Sequence, residues 1–200
     1  MKVVGFCGYS GSGKTTLVEQ LIHRLKRAGQ RVSVVKHAHH GFDIDHEGKD
    51  SWRHRHAGAG EVVIASSRRL AKIREFDVPT VPDVHALIAE LRDCDWVLVE
   101  GFKHSAFSKI EVWRASTGKP ALYPSDDHVV AICTDTHAQL PQPTPLPVLD
   151  LNAPGAVAEF LLCNPERYEY VRPLSAPAAD VDTGRSAEPP SRFGAAAAVD

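Results

Sequence analysis

Short continuous apolar runs alternate along this chain with segments whose apolar residues recur every three or four positions. Val3, Val4, Phe6 and Cys7 open the pattern and predict a buried strand over Lys2–Cys7. Leu17, Val18, Leu21, Ile22, Leu25 and Ala28 fall on one face of an amphipathic helix from Thr16 to Ala28, and Lys26, Arg27 and Gly29 mark its C-terminal end. Arg31–Lys36 predicts a second strand, followed by a histidine- and glycine-rich loop over His37–Gly48. Asp50 and Ser51 are placed to cap a short helix through His56, ending at Gly58. Glu61–Ser66 and Leu70–Phe76 predict two strands paired as a hairpin, and Asp83 caps a helix carrying Val84, Leu87, Ile88 and Leu91. Asp95–Glu100 is so uniformly apolar that it reads as a strand buried on both faces. Lys109–Arg114, His128–Thr134 and Pro147–Leu151 predict three more strands, and Asn152 with Pro154 starts a last helix through Leu162.

This order predicts an α/β fold with a mostly parallel central sheet and a β-hairpin extension. Ligands of such sheets sit beyond the carboxyl ends of the strands, so the loops after Cys7, Lys36, Glu100 and Thr134 are expected to converge on one site. The pattern stops near Ser175. From there to Asp200, Ala, Pro, Ser, Gly and Asp dominate, with no Leu or Ile, and a disordered tail is expected. The domain expectation is therefore a globular unit over 1–165, a linker over 166–174 and a tail over 175–200.

Composition adds exclusions. With 43% hydrophobic residues, the 200-residue chain can build one ordinary core. A net charge of −2 offers no basic field for nucleic acid. No apolar run approaches the ~18 residues of a membrane span, and the N-terminus enters a strand directly rather than a signal sequence, so the expected location is the cytoplasm. Cys7, Cys94, Cys133 and Cys163 are scattered in apolar runs and read as buried reduced thiols.

The sharpest chemical signal is Gly8-Tyr-Ser-Gly-Ser-Gly-Lys14-Thr15, a full match to the phosphate-loop pattern between a predicted strand and a predicted helix. Glycines there let backbone N–H groups turn toward phosphate oxygens, and the helix N-terminus adds positive potential. Lys14 is expected at the β- and γ-phosphates and the Thr15 hydroxyl on Mg²⁺. Glu100 ends the buried strand Trp96–Val99. It is the expected acidic partner, on the metal or orienting the attacking water, so Lys14 and Glu100 are the candidate catalytic residues. The loop Lys36–Asp50 faces the same end of the sheet. Asp45 or Asp43 offers a further metal ligand, Lys36 a cation for phosphate, and His37, His39 and His40 an alternative transition-metal site. Asp135, after the strand Val129–Thr134, is the candidate for accepting hydrogen bonds from guanine, although an Asn-Lys-x-Asp motif is absent. Arg53–His56, Arg68, Arg69, Lys72, Arg74, Lys103 and His104 form basic groups suited either to an anionic ligand or to solvent.

These blocks in combination resemble one family. The glycine loop, Lys36-His-Ala-His-His40, Phe42-Asp-Ile-Asp45, Gly48-Lys-Asp-Ser51, Arg53-His-Arg55, Ala57-Gly-Ala59 and Val99-Glu-Gly-Phe-Lys103 are similar to those of the MobB adaptors of molybdopterin-guanine dinucleotide biosynthesis. The resemblance covers roughly residues 2 to 163. It implies a three-layer phosphate-loop NTPase fold, GTP and Mg²⁺ binding with weak GTPase activity, and homodimerisation. It also implies action beside the guanylyltransferase that joins GMP to molybdopterin. By that resemblance Ser10, Gly11, Ser12, Gly13, Lys14, Thr15 and Thr16 bind phosphates, and Thr15, Asp45 and Glu100 surround the metal. A small-molecule kinase, or a metallochaperone-type GTPase drawing on the histidines, stands as the alternative.

Overall fold

The computed structural model describes residues 1–38 and 41–173. Its elements run β1 (Lys2–Cys7), α1 (Lys14–Arg27), β2 (Val32–Lys36), α2 (Asp50–His56), β3 (Glu61–Ala65), β4 (Leu70–Arg74), α3 (Val84–Ala89), β5 (Trp96–Glu100), β6 (Lys109–Val112), β7 (Val129–Thr134), β8 (Val148–Asp150) and α4 (Pro154–Cys163). Six strands form one sheet in the order β2-β5-β1-β6-β7-β8, every pair parallel. The remaining two, β3 and β4, make the separate antiparallel hairpin.

The α/β layering follows from side-chain alternation along the strands. One sheet face presents Val4 and Phe6, Trp96 and Leu98, Ile110 and Val112, and Ala131 and Cys133 to Leu17, Val18, Leu21 and Leu25 of α1 and to Val157, Ala158 and Leu161 of α4. Each of these buried apolar side chains contributes about 1.5–3 kcal/mol relative to exposure. The opposite face packs Val3, Val35, Val97 and Val99 under Val84 and Ile88 of α3. Farther along, it packs Cys7 and Ile132 under Tyr123, Leu140 and Leu146. Gly29, at φ +78°, closes α1, and Gln30 N–H bonds back to Leu25 O at 3.0 Å. Asp83 caps α3 by accepting from His85 N and Ala86 N.

Local expectations needed correction in three places. Asp50 is the first residue of α2, and Lys49 holds the cap position without a side-chain bond. Only Cys7 and Cys133 are buried, each thiol pushed up to about 12 chiefly by burial. Cys94 is half-buried, and Cys163 is exposed at the end of α4. The segment read as a linker adds Tyr168 to the core, 1% exposed and 5.6 Å from the Trp96 ring, while Lys2 bridges to Glu169. The expected tail over 175–200 and the pair His39–His40 lie outside the described residues.

The strand expected from Lys109 forms, and its alternation Lys109-Ile-Glu-Val112 is that of a half-exposed strand. Both faces of β6 are in fact covered, and Lys109 and Glu111 are buried. Lys109 Nζ donates to Lys103 O at 2.7 Å and to Asp126 Oδ2 at 2.5 Å. Glu111 accepts from Leu122 N and Tyr123 N, both at 2.8 Å. Burial raises the Glu111 carboxyl above its ordinary value, and the two N–H bonds oppose that rise. The pair thus ties the 114–128 segment to the sheet. Glu111→Ala would leave two backbone donors unsatisfied at about 1–3 kcal/mol each. Urea unfolding at neutral pH is expected to show a loss of roughly 2–5 kcal/mol, and a change within about 0.5 kcal/mol would contradict this role.

Candidate nucleotide-binding site

The glycine loop begins where β1 leaves the sheet. Gly8 sits at φ +129°, and a Cβ there would lie 2.3 Å from Val112 O, so only glycine lets the chain press against the end of β6. Gly11 and Gly13 also have positive φ, and Gly13 is the left-handed residue that starts α1. Lys14 Nζ is folded back into the loop, donating to Tyr9 O at 2.7 Å and lying 3.5 Å from Ser12 Oγ. Burial lowers its pKa, with Glu100 acting in the opposite direction. A partly desolvated ammonium held against neutral oxygens gains by meeting an anion.

Across from the loop, β5 lies between β1 and β2, with Phe6 opposite Glu100 on one side and Lys36 opposite Glu100 on the other. Glu100 continues the Trp96–Leu98 face that looks toward α1. Its Oε1 accepts from Thr15 Oγ1 at 2.6 Å and lies 3.6 Å from Lys36 Nζ. Thr15 and Glu100 supply hard oxygen donors, the chemistry that suits Mg²⁺. The loop after β5 is pressed against the loop after β2. His37 N bonds Glu100 O at 2.9 Å, and a Cβ on Gly101 would fall 2.7 Å from His37 Cβ. Phe102 takes φ +41°, its ring 5.0 Å from that of His37. Lys103 Nζ lies 5.5 Å from the Tyr9 ring centre.

Other sequence-predicted residues have different surroundings. Asp45 accepts from Ser51 Oγ at 2.8 Å and pairs with Arg55 Nε at 3.2 Å. The same guanidinium bonds Asp43 at 2.8 Å and Glu75 at 2.7 Å, making Arg55 the hub of the segment after β2. Asp45's contacts here are therefore to its own loop and α2, not to Thr15 or Glu100. Asp135 pairs with Arg114 Nε at 3.2 Å. On the hairpin, Lys72 and Arg74 pair with Glu61, so they are not an open basic patch. Among the described residues no group of three His, Cys, Asp or Glu side chains is arranged to hold a metal by itself. Nor is any described helix long and apolar enough to cross a membrane. Sequence reasoning passed over Arg114, whose only signal was a cation ending a strand beside the phosphate loop.

The same region carries the likeness to known proteins. Residues 3–135 match the family model described as MobB, molybdopterin guanine dinucleotide synthesis protein B. The molybdopterin-guanine dinucleotide biosynthesis adapter protein of Haemophilus influenzae is 40% identical over 159 residues, covering 80% of this chain and 86% of that protein. The adapter of the same name from Escherichia coli is 36% identical over 163 residues, covering 80% and 91%. The crystal structure of a MobB protein homolog from Bacillus stearothermophilus superposes with a TM-score of 0.60 at 27% identity, covering 82% of this chain and 97% of that one. With its glycine loop, Lys36 and Glu100 all inside the matched region, this chain belongs to the MobB family.

Proposed function

We propose that this chain is a GTP-binding adaptor with weak GTPase activity in the biosynthesis of molybdopterin guanine dinucleotide. In this reading it assists the guanylyltransferase that joins GMP to molybdopterin. The observation that carries the nucleotide part is the 2.6 Å bond from Thr15 to Glu100 beneath an open glycine loop. The names of the homologous adapters support the pathway.

The backbone N–H groups of residues 10–16 would take the phosphates, with Lys14 leaving Tyr9 O for the β- and γ-oxygens. Thr15 and Glu100 would hold Mg²⁺, with Asp45 the further acidic candidate. When bound, that ion neutralises phosphate charge. Glu100, at 8% exposure, is positioned to orient a water, and Lys36 to supply a second cation. A monomeric fold leaves Val63, Ile64, Leu70, Phe76, Val78 and Val81 exposed on and after the hairpin. This patch supports homodimerisation through that element. Sedimentation of the chain is expected to give a dimer, and a monomer at all concentrations would remove this part of the reading.

Calorimetric titration with GTP and with ATP, each with Mg²⁺, tests the central reading. GTP is expected to bind more tightly. Equal or tighter binding of ATP would favour the kinase alternative. Lys14→Ala is expected to weaken GTP binding by roughly 100-fold or more, the loss of two charge-assisted bonds at ~1.5–3 kcal/mol each. Glu100→Gln is expected to change affinity less than about tenfold while slowing hydrolysis about 100-fold. Equal loss of both would make Glu100 a binding residue only.

A further inference from the structure

Two cavities open at this end of the sheet, on opposite faces. One, lined in part by Gly13, Thr16 and Arg114, lies between α1 and α4 and adjoins the glycine loop. The other, of about 240 Å³, lies on the far face, between the loop after β5 and the segment before β7. Lys103 and His104 form one wall, and Leu122, Ser125 and Asp126 form the other. The nucleotide site described above uses none of these side chains.

One buried ammonium holds the two walls together. Lys109 is 1% exposed, and its stem passes over β1 at Gly5, where a Cβ would lie 2.6 Å from Lys109 Cγ. The missing side chain of Gly5 gives the lysine its path. From there Nζ donates to Lys103 O at 2.7 Å on one wall and to Asp126 Oδ2 at 2.5 Å on the other. Asp126 Oδ1 accepts from His128 N at 3.0 Å, so both oxygens of that carboxylate are bonded and its charge is matched. The Lys103 ammonium is matched by none. Among the described residues it pairs with no carboxylate, and it stands 5.5 Å from the centre of the Tyr9 ring in the glycine loop. His104 and Ser125 are exposed, and the Ser125 hydroxyl reaches Leu122 O only at 3.3 Å, a long bond that it can exchange.

The free groups of this lining are thus an ammonium, an imidazole and a hydroxyl, all able to donate. Its carboxylate is neutralised from behind. Such a set suits an anion with several acceptor oxygens. The volume falls short of the ~300 Å³ at which sites begin to enclose a drug-sized ligand. It is too small for a nucleoside triphosphate and larger than a bare phosphate needs, with Leu122 as an apolar wall for the remainder. We propose that this cavity binds the phosphate end of a small phosphate monoester, with Lys103, His104 and Ser125 donating to its oxygens. The inference does not rest on the GTP reading. Through Tyr9 the site neighbours the glycine loop, so a monoester and a phosphate-loop ligand can be held at the same time.

The experiment is calorimetric titration of the full chain with phenyl phosphate and with inorganic phosphate, the glycine loop first being saturated with Mg²⁺ and tripolyphosphate. Phenyl phosphate is expected to bind about tenfold or more tightly than inorganic phosphate, which leaves the Leu122 wall empty. Lys103→Gln is expected to weaken phenyl phosphate by about tenfold while changing tripolyphosphate by less than about threefold. His104→Asn is expected to give a smaller loss of the same kind. Both side chains are exposed, and Lys109 is anchored by the Lys103 carbonyl, which these changes keep. Lys14→Ala, titrated without tripolyphosphate, is expected to keep the native affinity for phenyl phosphate. The proposal is overturned if phenyl phosphate does not bind the loaded chain, or if Lys103→Gln leaves its affinity unchanged. Inorganic phosphate binding as tightly would also overturn it, by making the cavity a site for the free anion. Failure of tripolyphosphate to bind the native chain would instead remove the glycine-loop reading, and phenyl phosphate on Lys14→Ala would still decide this one.

Discussion

β5 runs between β1 and β2 with all five of its residues buried, and that central position decides where the chemistry falls. Its last residue is a carboxylate, carried by the strand alternation onto the α1 side of the sheet. There it meets the hydroxyl of Thr15, the second residue of the helix that leaves the glycine loop. Burying an acidic group at a strand end is unfavourable unless it is bonded. Here Thr15 and Lys36 supply the partners. The same contact fixes the first turn of α1 against the sheet and brings three loops to one place. Moving β5 to a sheet edge would separate Glu100 from one of its two flanking strands and dismantle the site.

Around that centre, the buried Lys109 and the half-buried Arg55 organise the loops. Lys109 holds Lys103 O and Asp126 on the face away from α1. Arg55 gathers Asp43, Asp45 and Glu75, tying the segment after β2 to the root of the hairpin. A loop that faces a phosphate site is thereby anchored to an element with exposed apolar side chains. This gives a physical route by which assembly through the hairpin would be felt at the nucleotide. Gly101 and Phe102, both at positive φ, sit where the loops after β2 and β5 meet. Strained backbone of this kind is common at sites that change conformation.

Much of this was legible in the residues because the signals were local. The continuous apolar run Trp96–Val99 announced a doubly covered strand, and the glycine spacing announced the phosphate loop. Glu100 and Thr15 were expected at one metal, and the structure bonds them to each other directly. What escaped notice depends on tertiary cover. Lys109 and Glu111 alternate with Ile110 and Val112 as they would in a half-exposed strand, and only the 114–128 segment folding over them reveals a buried pair. Tyr168 looked like part of a linker because nothing local says that Trp96 waits for it. Arg114 carried no motif, and its meaning comes from Asp135 and Gly13, distant in sequence and adjacent in space. Asp45 was legible as an acid near the site, but not as a partner of Arg55 on the helix that follows its loop.

Lys14 and Thr15 are held by protein oxygens, and on the proposed function nucleotide and metal replace those oxygens. A crystal structure of the chain with Mg²⁺ and a non-hydrolysable GTP analogue tests it most directly. Lys14 Nζ is expected to have moved from Tyr9 O to the β- and γ-phosphates, and the Thr15 hydroxyl from Glu100 to the metal. Phosphates bound away from the glycine loop, with Lys14 still on Tyr9 O and Thr15 still on Glu100, would contradict it.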